Sequence, residues 1–126
     1  MKKPIHSDKA PKAVGPYSQA ILTGNLVFTS GQVAIDPGPG KLIKGGIQEQ
    51  TRQVMANLSA VLEAAGTDFS RVVKATVFLI DINDFTRFNE IYSEYFPSDP
   101  PARSAFQVAA LPLGAMVEIE MVAALK

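Results

Sequence analysis

The chain has 126 residues, 47% of them hydrophobic and 19% charged, the proportions of an ordinary folded domain rather than a disordered one. There is no cysteine, which excludes disulfides, thiolate catalysis and cysteine metal sites together and suits a reducing compartment such as the cytoplasm. Twelve basic residues balance twelve acidic ones with no basic block, unlike the counterion-displacing stripe of a nucleic-acid binder.

That length predicts a single domain over residues 1–126 with a core that needs no staples. Residues 1–14 read as a polar tail leading into the first strand. The tail has no apolar run, so it does not read as a secretory leader, and no stretch of the chain approaches a membrane span. Two strands are predicted next, Tyr17 to Thr23 and Leu26 to Ser30, around the turn signal Gly24-Asn25. Asp36-Pro37-Gly38-Pro39-Gly40 is a loop by its alternating prolines and glycines.

From Ile47 the apolar positions Val54, Met55, Leu58, Val61, Leu62 and Ala65 recur in steps of three and four. They mark an amphipathic helix that Gly66 is placed to end. Arg71 to Ile80, rich in β-branched residues, is a strand. Phe85, Phe88, Ile91, Tyr92 and Tyr95 form a second helical stripe, capped by Asp81 or Asn83 and stopped near Pro97. Ala102 to Val108 is a strand, Leu111 to Gly114 a connection, and Val117 to Leu125 the last strand. The order β-β-α-β-α-β-β predicts an α+β domain with two helices on one face of a mixed sheet.

Two helices cover only one face. Alternation places Val73, Ala75, Val77 and Leu79 on one side of their strand and Val72, Phe78 and Ile80 on the other. Val117, Ile119 and Met121 lie opposite Val122 and Ala124. The apolar surface left over needs a partner, which in a chain this small suggests a homo-oligomer.

The single histidine, His6, lies in the tail, and there is no P-loop, zinc-type cluster, Ser-His pair or dinucleotide turn. Chemistry must therefore run on carboxylate, guanidinium, hydroxyl and backbone groups. Arg103 is the first candidate, on a strand whose core-facing side is marked by Phe106 and Val108, with Arg103, Ala105 and Gln107 opposite. A guanidinium fixed on a strand offers a planar fork for a carboxylate; a structural salt bridge is the alternative. Glu118 and Glu120 share one face of an otherwise apolar strand. That placement is costly for carboxylates unless they are solvated on an edge, paired, or used to activate water. Tyr17 and Ser30 supply hydroxyls beside Gly15 and Gly31, where the backbone can approach a ligand closely.

In sequence order, several segments resemble the successive motifs of one family. They are Gly15-Pro16-Tyr17, Thr29-Ser30-Gly31-Gln32, Val73-Lys74-Ala75-Thr76-Val77-Phe78, Asn83-Asp84-Phe85, Asn89 ahead of Tyr92, Pro101-Ala102-Arg103-Ser104 and Val117-Glu118-Ile119-Glu120. The family is the RidA (YjgF-type) reactive-intermediate deaminases, and the similarity runs from about Ala10 to the C-terminus. It implies a chorismate mutase-like α+β fold whose last strand inserts beside earlier strands. It also implies a homotrimer with clefts between subunits, in which Arg103 and Glu118 reach one cleft from different chains. A hairpin centred near Ala110-Leu111 would instead bring the two together within one chain.

By the same resemblance Arg103 grips the substrate carboxylate and Glu118 positions the attacking water. Tyr17, Ser30, Gly31 and Asn89 line the site, and the backbone at Ala105 bonds the substrate nitrogen. The implied reaction is hydrolysis of 2-aminoacrylate, 2-aminocrotonate and their imine tautomers to 2-keto acids and ammonia, with no cofactor and no metal. Partners are the small carboxylate substrate and further copies of the chain, with no nucleic acid and no membrane. Many members carry cysteine where this chain has Ala105, a departure that matters only if the position acts through its side chain. Two other readings stay open: a non-enzymatic regulator that binds a small carboxylate, and a ribonuclease or translation inhibitor, for which the sequence offers no placed histidine.

Overall fold

Hydrophobic periodicity and turn chemistry set the elements, which the computed structural model describes for residues 1–126. Strands β1 (Lys2–Ile5), β2 (Ala20–Thr23) and β3 (Leu26–Thr29) are followed by a short hairpin, β4 (Ile35–Asp36) and β5 (Lys41–Leu42). Then come α1 (Ile47–Ala64), β6 (Val72–Leu79), α2 (Phe85–Tyr92), β7 (Ala102–Gln107) and β8 (Val117–Ala124). Neither helix is long and apolar enough to cross a membrane.

α1 starts where the Glu49 carboxylate accepts the Gly46 N–H at 2.7 Å, relieving one of the unpaired donors of the first turn. It ends at Gly66, whose φ of +86° is a left-handed exit that a side chain would strain. Its stripe Ile47, Val54, Met55, Leu58, Val61 and Leu62 is buried against the sheet. Truncating one of these, as in Leu58→Ala, would cost about 2–5 kcal/mol through lost burial and a residual cavity. α2 is preceded by a turn over Ile82–Asp84 that Asp81 caps, its carboxylate accepting the Asn83 N–H at 2.9 Å. The N-cap of α2 itself is Asp84, without a side-chain bond, so neither Asp81 nor Asn83 caps the helix directly.

The main sheet runs β1-β2-β3-β8-β6-β7, with β8 antiparallel to both β3 and β6 and β7 parallel to β6. A parallel pair needs a crossover, and α2 supplies it. β8 therefore lies two strands away from its sequence neighbour β7, and the hairpin near Ala110-Leu111 does not form. Both helices pack on one face; Val27, Ala75, Val77, Leu79, Val117, Ile119, Met121 and Ala123 lie beneath them.

Four expectations are corrected. The supposed tail contains β1, which pairs with β2 from Lys2↔Thr23 to Ile5↔Ala20. An edge strand needs no apolar run, and Pro4 is tolerated there. The first predicted strand begins at Ala20 rather than Tyr17, because buried Gln19 is spent tying down the chain that follows β1. Its amide oxygen accepts the Ser7 N–H at 2.6 Å, and its amide nitrogen donates to the Ser7 and Pro11 carbonyls. In β6 it is Val72 that is buried and Val73 that is exposed, since a register shift between Val72 and Lys74 flips the alternation. In β7 the faces are reversed. Phe106 lies on the open face, 49% exposed and 6.0 Å from the ring of Phe78, whereas Arg103 and Ala105 turn towards the helices.

Candidate active site

Arg103 is level with Ala75, a core residue of the helix-covered face, so its side chain rises beside α2. There it meets three rings that helical spacing stacks on one side of α2. Its guanidinium carbon lies 5.2 Å from the ring centre of Phe85, 5.9 Å from Phe88 and 4.9 Å from Tyr92. One guanidinium nitrogen donates to the Asn89 amide oxygen at 2.8 Å. The ion pairs of the protein are His6–Asp8, Lys9–Glu63, Arg52–Glu94 and Lys126–Asp68, so no carboxylate of the chain neutralises Arg103. The salt-bridge alternative fails within the chain. A cavity of about 450 Å³ opens beside the guanidinium, floored by Tyr92 and Phe96 and walled by Pro100 and Pro101.

Glu118 is level with Phe78 and so lies on the opposite, open face of the sheet. Its carboxyl group packs on Gly31: a Cβ built there would stand 2.7 Å from one carboxyl oxygen and 2.8 Å from the carboxyl carbon. Gly31 is held in place because the adjoining Gln32 exchanges both backbone hydrogen bonds with Ile119, at 2.9 and 3.1 Å. The Glu118 carboxyl is half-buried and accepts no hydrogen bond within the chain. Burial first, and then repulsion from Glu120, push its pKa above the usual carboxylate value. It lines a second cavity, of about 370 Å³, with Lys12, Tyr17, Gly31, Gln32 and Leu113.

The sequence candidates thus fall into two groups on opposite faces. Arg103 and Asn89 form one, Glu118, Gly31 and Tyr17 the other. Arg103 and Glu118 are also separated by two strand spacings and three residues along β6, about 10 Å in each direction. Ser30 lines neither cavity; its hydroxyl donates to the Ser18 carbonyl at 2.6 Å and its N–H to the Gln19 carbonyl, anchoring the turn before Gly31. Ala105 is half-buried on the edge strand with its methyl towards the core, so only its main chain is available to a ligand.

Sequence reasoning missed the ring cluster as part of the site, having read Phe85, Phe88 and Tyr92 as a core stripe alone. It also missed Leu113, which sits at a φ of +60° with its side chain exposed on the rim of the Glu118 cavity. No motif marks that residue; only the adjoining Pro112 and Gly114 hint at an unusual backbone.

Taken together, the fold and the two groups define a class: a small α+β domain with an arginine that no carboxylate of the chain neutralises on one face of its sheet and a half-buried carboxyl of raised pKa on the other. The chain belongs to the endoribonuclease L-PSP (YjgF/RidA) family, whose model matches residues 7–125. It is 52% identical to the 2-iminobutanoate/2-iminopropanoate deaminase of Homo sapiens, over 98% of this chain and 90% of that one. Among solved structures it is similar to RidA from an Antarctic Psychrobacter, with a TM-score of 0.94 and 46% identity over 98% and 99% of the two chains. It is also similar to E. coli TdcF with bound serine, with a TM-score of 0.93 and 40% identity, again over 98% and 99%.

Proposed function

We propose that this protein is a deaminase that hydrolyses 2-iminobutanoate and 2-iminopropanoate, the imine tautomers of 2-aminocrotonate and 2-aminoacrylate, to 2-keto acids and ammonia. The full-length identity to the human deaminase supports the reaction. The observation that carries the site assignment is Arg103, held by Asn89 beside an open cavity with no carboxylate of the chain to neutralise it. Arg103 holds the substrate carboxylate through its planar fork. A relative that binds serine, itself an α-carboxylate, is consistent with that role. Asn89 fixes the guanidinium through its amide oxygen, leaving its amide nitrogen to donate to the ligand.

An imine carbon is already electrophilic, so positioning and electrostatics suffice for hydrolysis. Glu118 as carboxylate takes a proton from water while the oxygen adds to the carbon of the protonated C=N bond, giving a neutral carbinolamine. Returned to the nitrogen, that proton makes ammonia the leaving group, and as the C–N bond breaks the hydroxyl oxygen gives its own proton to the freed Glu118 carboxylate and becomes the C=O oxygen. A raised pKa makes the Glu118 carboxylate a better proton acceptor, which is the role the addition step asks of it. The Ala105 main chain bonds the substrate nitrogen, and Tyr17 lines the pocket. Ser30 acts through the turn that places Gly31.

Because Arg103 and Glu118 lie on opposite faces of one sheet, a single cleft containing both is built between copies of the chain. The open face, with Leu26, Phe28, Phe78, Phe106 and Val122, is the apolar surface available for that contact, and a homotrimer in the cytoplasm is our reading. The test is release of ammonia and 2-keto acid from 2-aminoacrylate generated in situ, with light scattering on the same sample. Accelerated release by a trimer is expected. No acceleration over the spontaneous rate would leave a carboxylate-binding protein, and a monomer would remove the shared cleft.

A further inference from the structure

An arginine that must bind an anion faces a conflict. Left alone it is mobile, and held by an acidic partner it loses the charge it needs. Arg103 avoids both outcomes, because its neighbours are three aromatic rings and one amide, none of them anionic. Phe85, Phe88 and Tyr92 stand at positions i, i+3 and i+7 of α2, with Asn89 one residue on from Phe88, so a single helical face delivers all four. Rings attract the flat faces of a guanidinium through their quadrupole and leave its N–H edge untouched. Asn89 takes one of the five N–H donors, and the rest stay free for a planar anion.

We propose that this ring cluster positions Arg103 for the substrate carboxylate and that Phe85, its least buried member, is a positioning residue that sets affinity. Phe88 is fully buried and Tyr92 nearly so, and both also fill the core, with ring centres 5.4 Å apart. Phe85 is only partly buried at the start of α2, so its packing role is smaller and its effect on the guanidinium separable. The proposal rests on Arg103 being the carboxylate clamp of the function proposed above and assigns the cause of its orientation.

The test replaces Phe85 with phenylalanine analogues carrying one, two and three ring fluorines, which drain the ring quadrupole while keeping its shape. Binding of 2-oxobutanoate is read by calorimetry and turnover by ammonia release. Affinity should fall stepwise with each fluorine, and Phe85→Leu should weaken it by about three- to tenfold. Phe85→Tyr, which keeps the ring face, should restore wild-type binding, and KM should rise more than kcat falls across the series. Affinity that stays flat through the fluorinated series, with Phe85→Leu binding as wild type, would overturn the proposal. Binding that tracks fluorination in a protein without deaminase activity would support it and sink the deaminase reading instead.

Discussion

Arg103 and Glu118 occupy opposite faces of one sheet, and their surroundings treat the two charges differently. The arginine is held by four side chains of α2, none anionic, so its orientation is set before any ligand arrives while its charge stays whole. The glutamate has space rather than partners: Gly31 leaves room for its carboxyl, no donor fixes it, and burial with a like-charged neighbour weakens it as an acid. A binding group profits from rigidity, since every lost rotamer is a cost already met. A proton-transfer group profits from a pKa moved towards working pH. Under the function proposed above, the arginine has the binding task and the glutamate the proton-transfer task, and each surrounding suits its own.

The sharpest way to break this contrast is at the arginine. Arg103→Lys keeps the charge, but a lysine ammonium is a point donor with no planar fork to lay between rings and carboxylate. It should lower kcat/KM nearly as far as Arg103→Ala, by roughly thirty- to thousand-fold, an equivalent of about 2–4 kcal/mol. Steady-state turnover of 2-aminoacrylate by both variants checks this, and a lysine variant with most of its activity would reduce Arg103 to a nearby charge. On the other face, Glu118→Gln should slow turnover about a hundredfold. Affinity for 2-oxobutanoate, measured by calorimetry, should hardly change in that variant, because the carboxylate acts mainly on the transition state.

Smaller effects separate position from chemistry. Gly31→Ala puts a methyl where the Glu118 carboxyl now rests, so the side chain must swing away. Activity should drop about tenfold, with the thermal midpoint shifting far less than in a core truncation such as Leu58→Ala. A full-rate Gly31→Ala enzyme would mean that Glu118 works from another rotamer. The finest test is pH. If the deprotonated carboxyl is the active form, kcat/KM rises as pH climbs through the raised Glu118 pKa. Glu120→Gln removes a repulsion that favours the neutral form, so the acid limb of that profile should move to lower pH. Desolvation is the larger cause of the shift, so the limb should not move all the way back to an ordinary glutamate.

Much of this was legible from residue order, and the exceptions have physical causes. α1 is a clean period of three and four ended by a glycine, and β8 alternates strictly, so both were readable from the sequence alone. β1 was not, because an edge strand satisfied by backbone pairing carries no apolar signature. Val72 and Val73 exchanged faces at an irregularity that alternation cannot foresee. Phe106 misled for a related reason: it is large and apolar yet faces outwards, towards the surface proposed to meet another copy. At the site, residue type singled out Arg103 and Glu118. That they lie on opposite faces follows from the reversed β7, in which Arg103 and not Phe106 turns to the helices, and that they stand two strands apart follows from β8 pairing with β6; both rest on non-local pairings no window of sequence records. The rings around Arg103 were visible only as a hydrophobic stripe, since core packing and cation holding draw on the same residues at the same spacing.

Whether the two faces combine across subunits is the central claim, and mixing two dead variants tests it most directly. Arg103→Ala and Glu118→Gln chains, each nearly inactive alone, would be co-expressed in equal amounts and purified together as oligomers. If each cleft takes its arginine from one chain and its glutamate from another, random assembly makes about one cleft in four intact. Ammonia release should then recover to about a quarter of the wild-type rate per cleft. Recovery no greater than the sum of the two variants would mean that both residues must come from one chain, and would contradict the shared site.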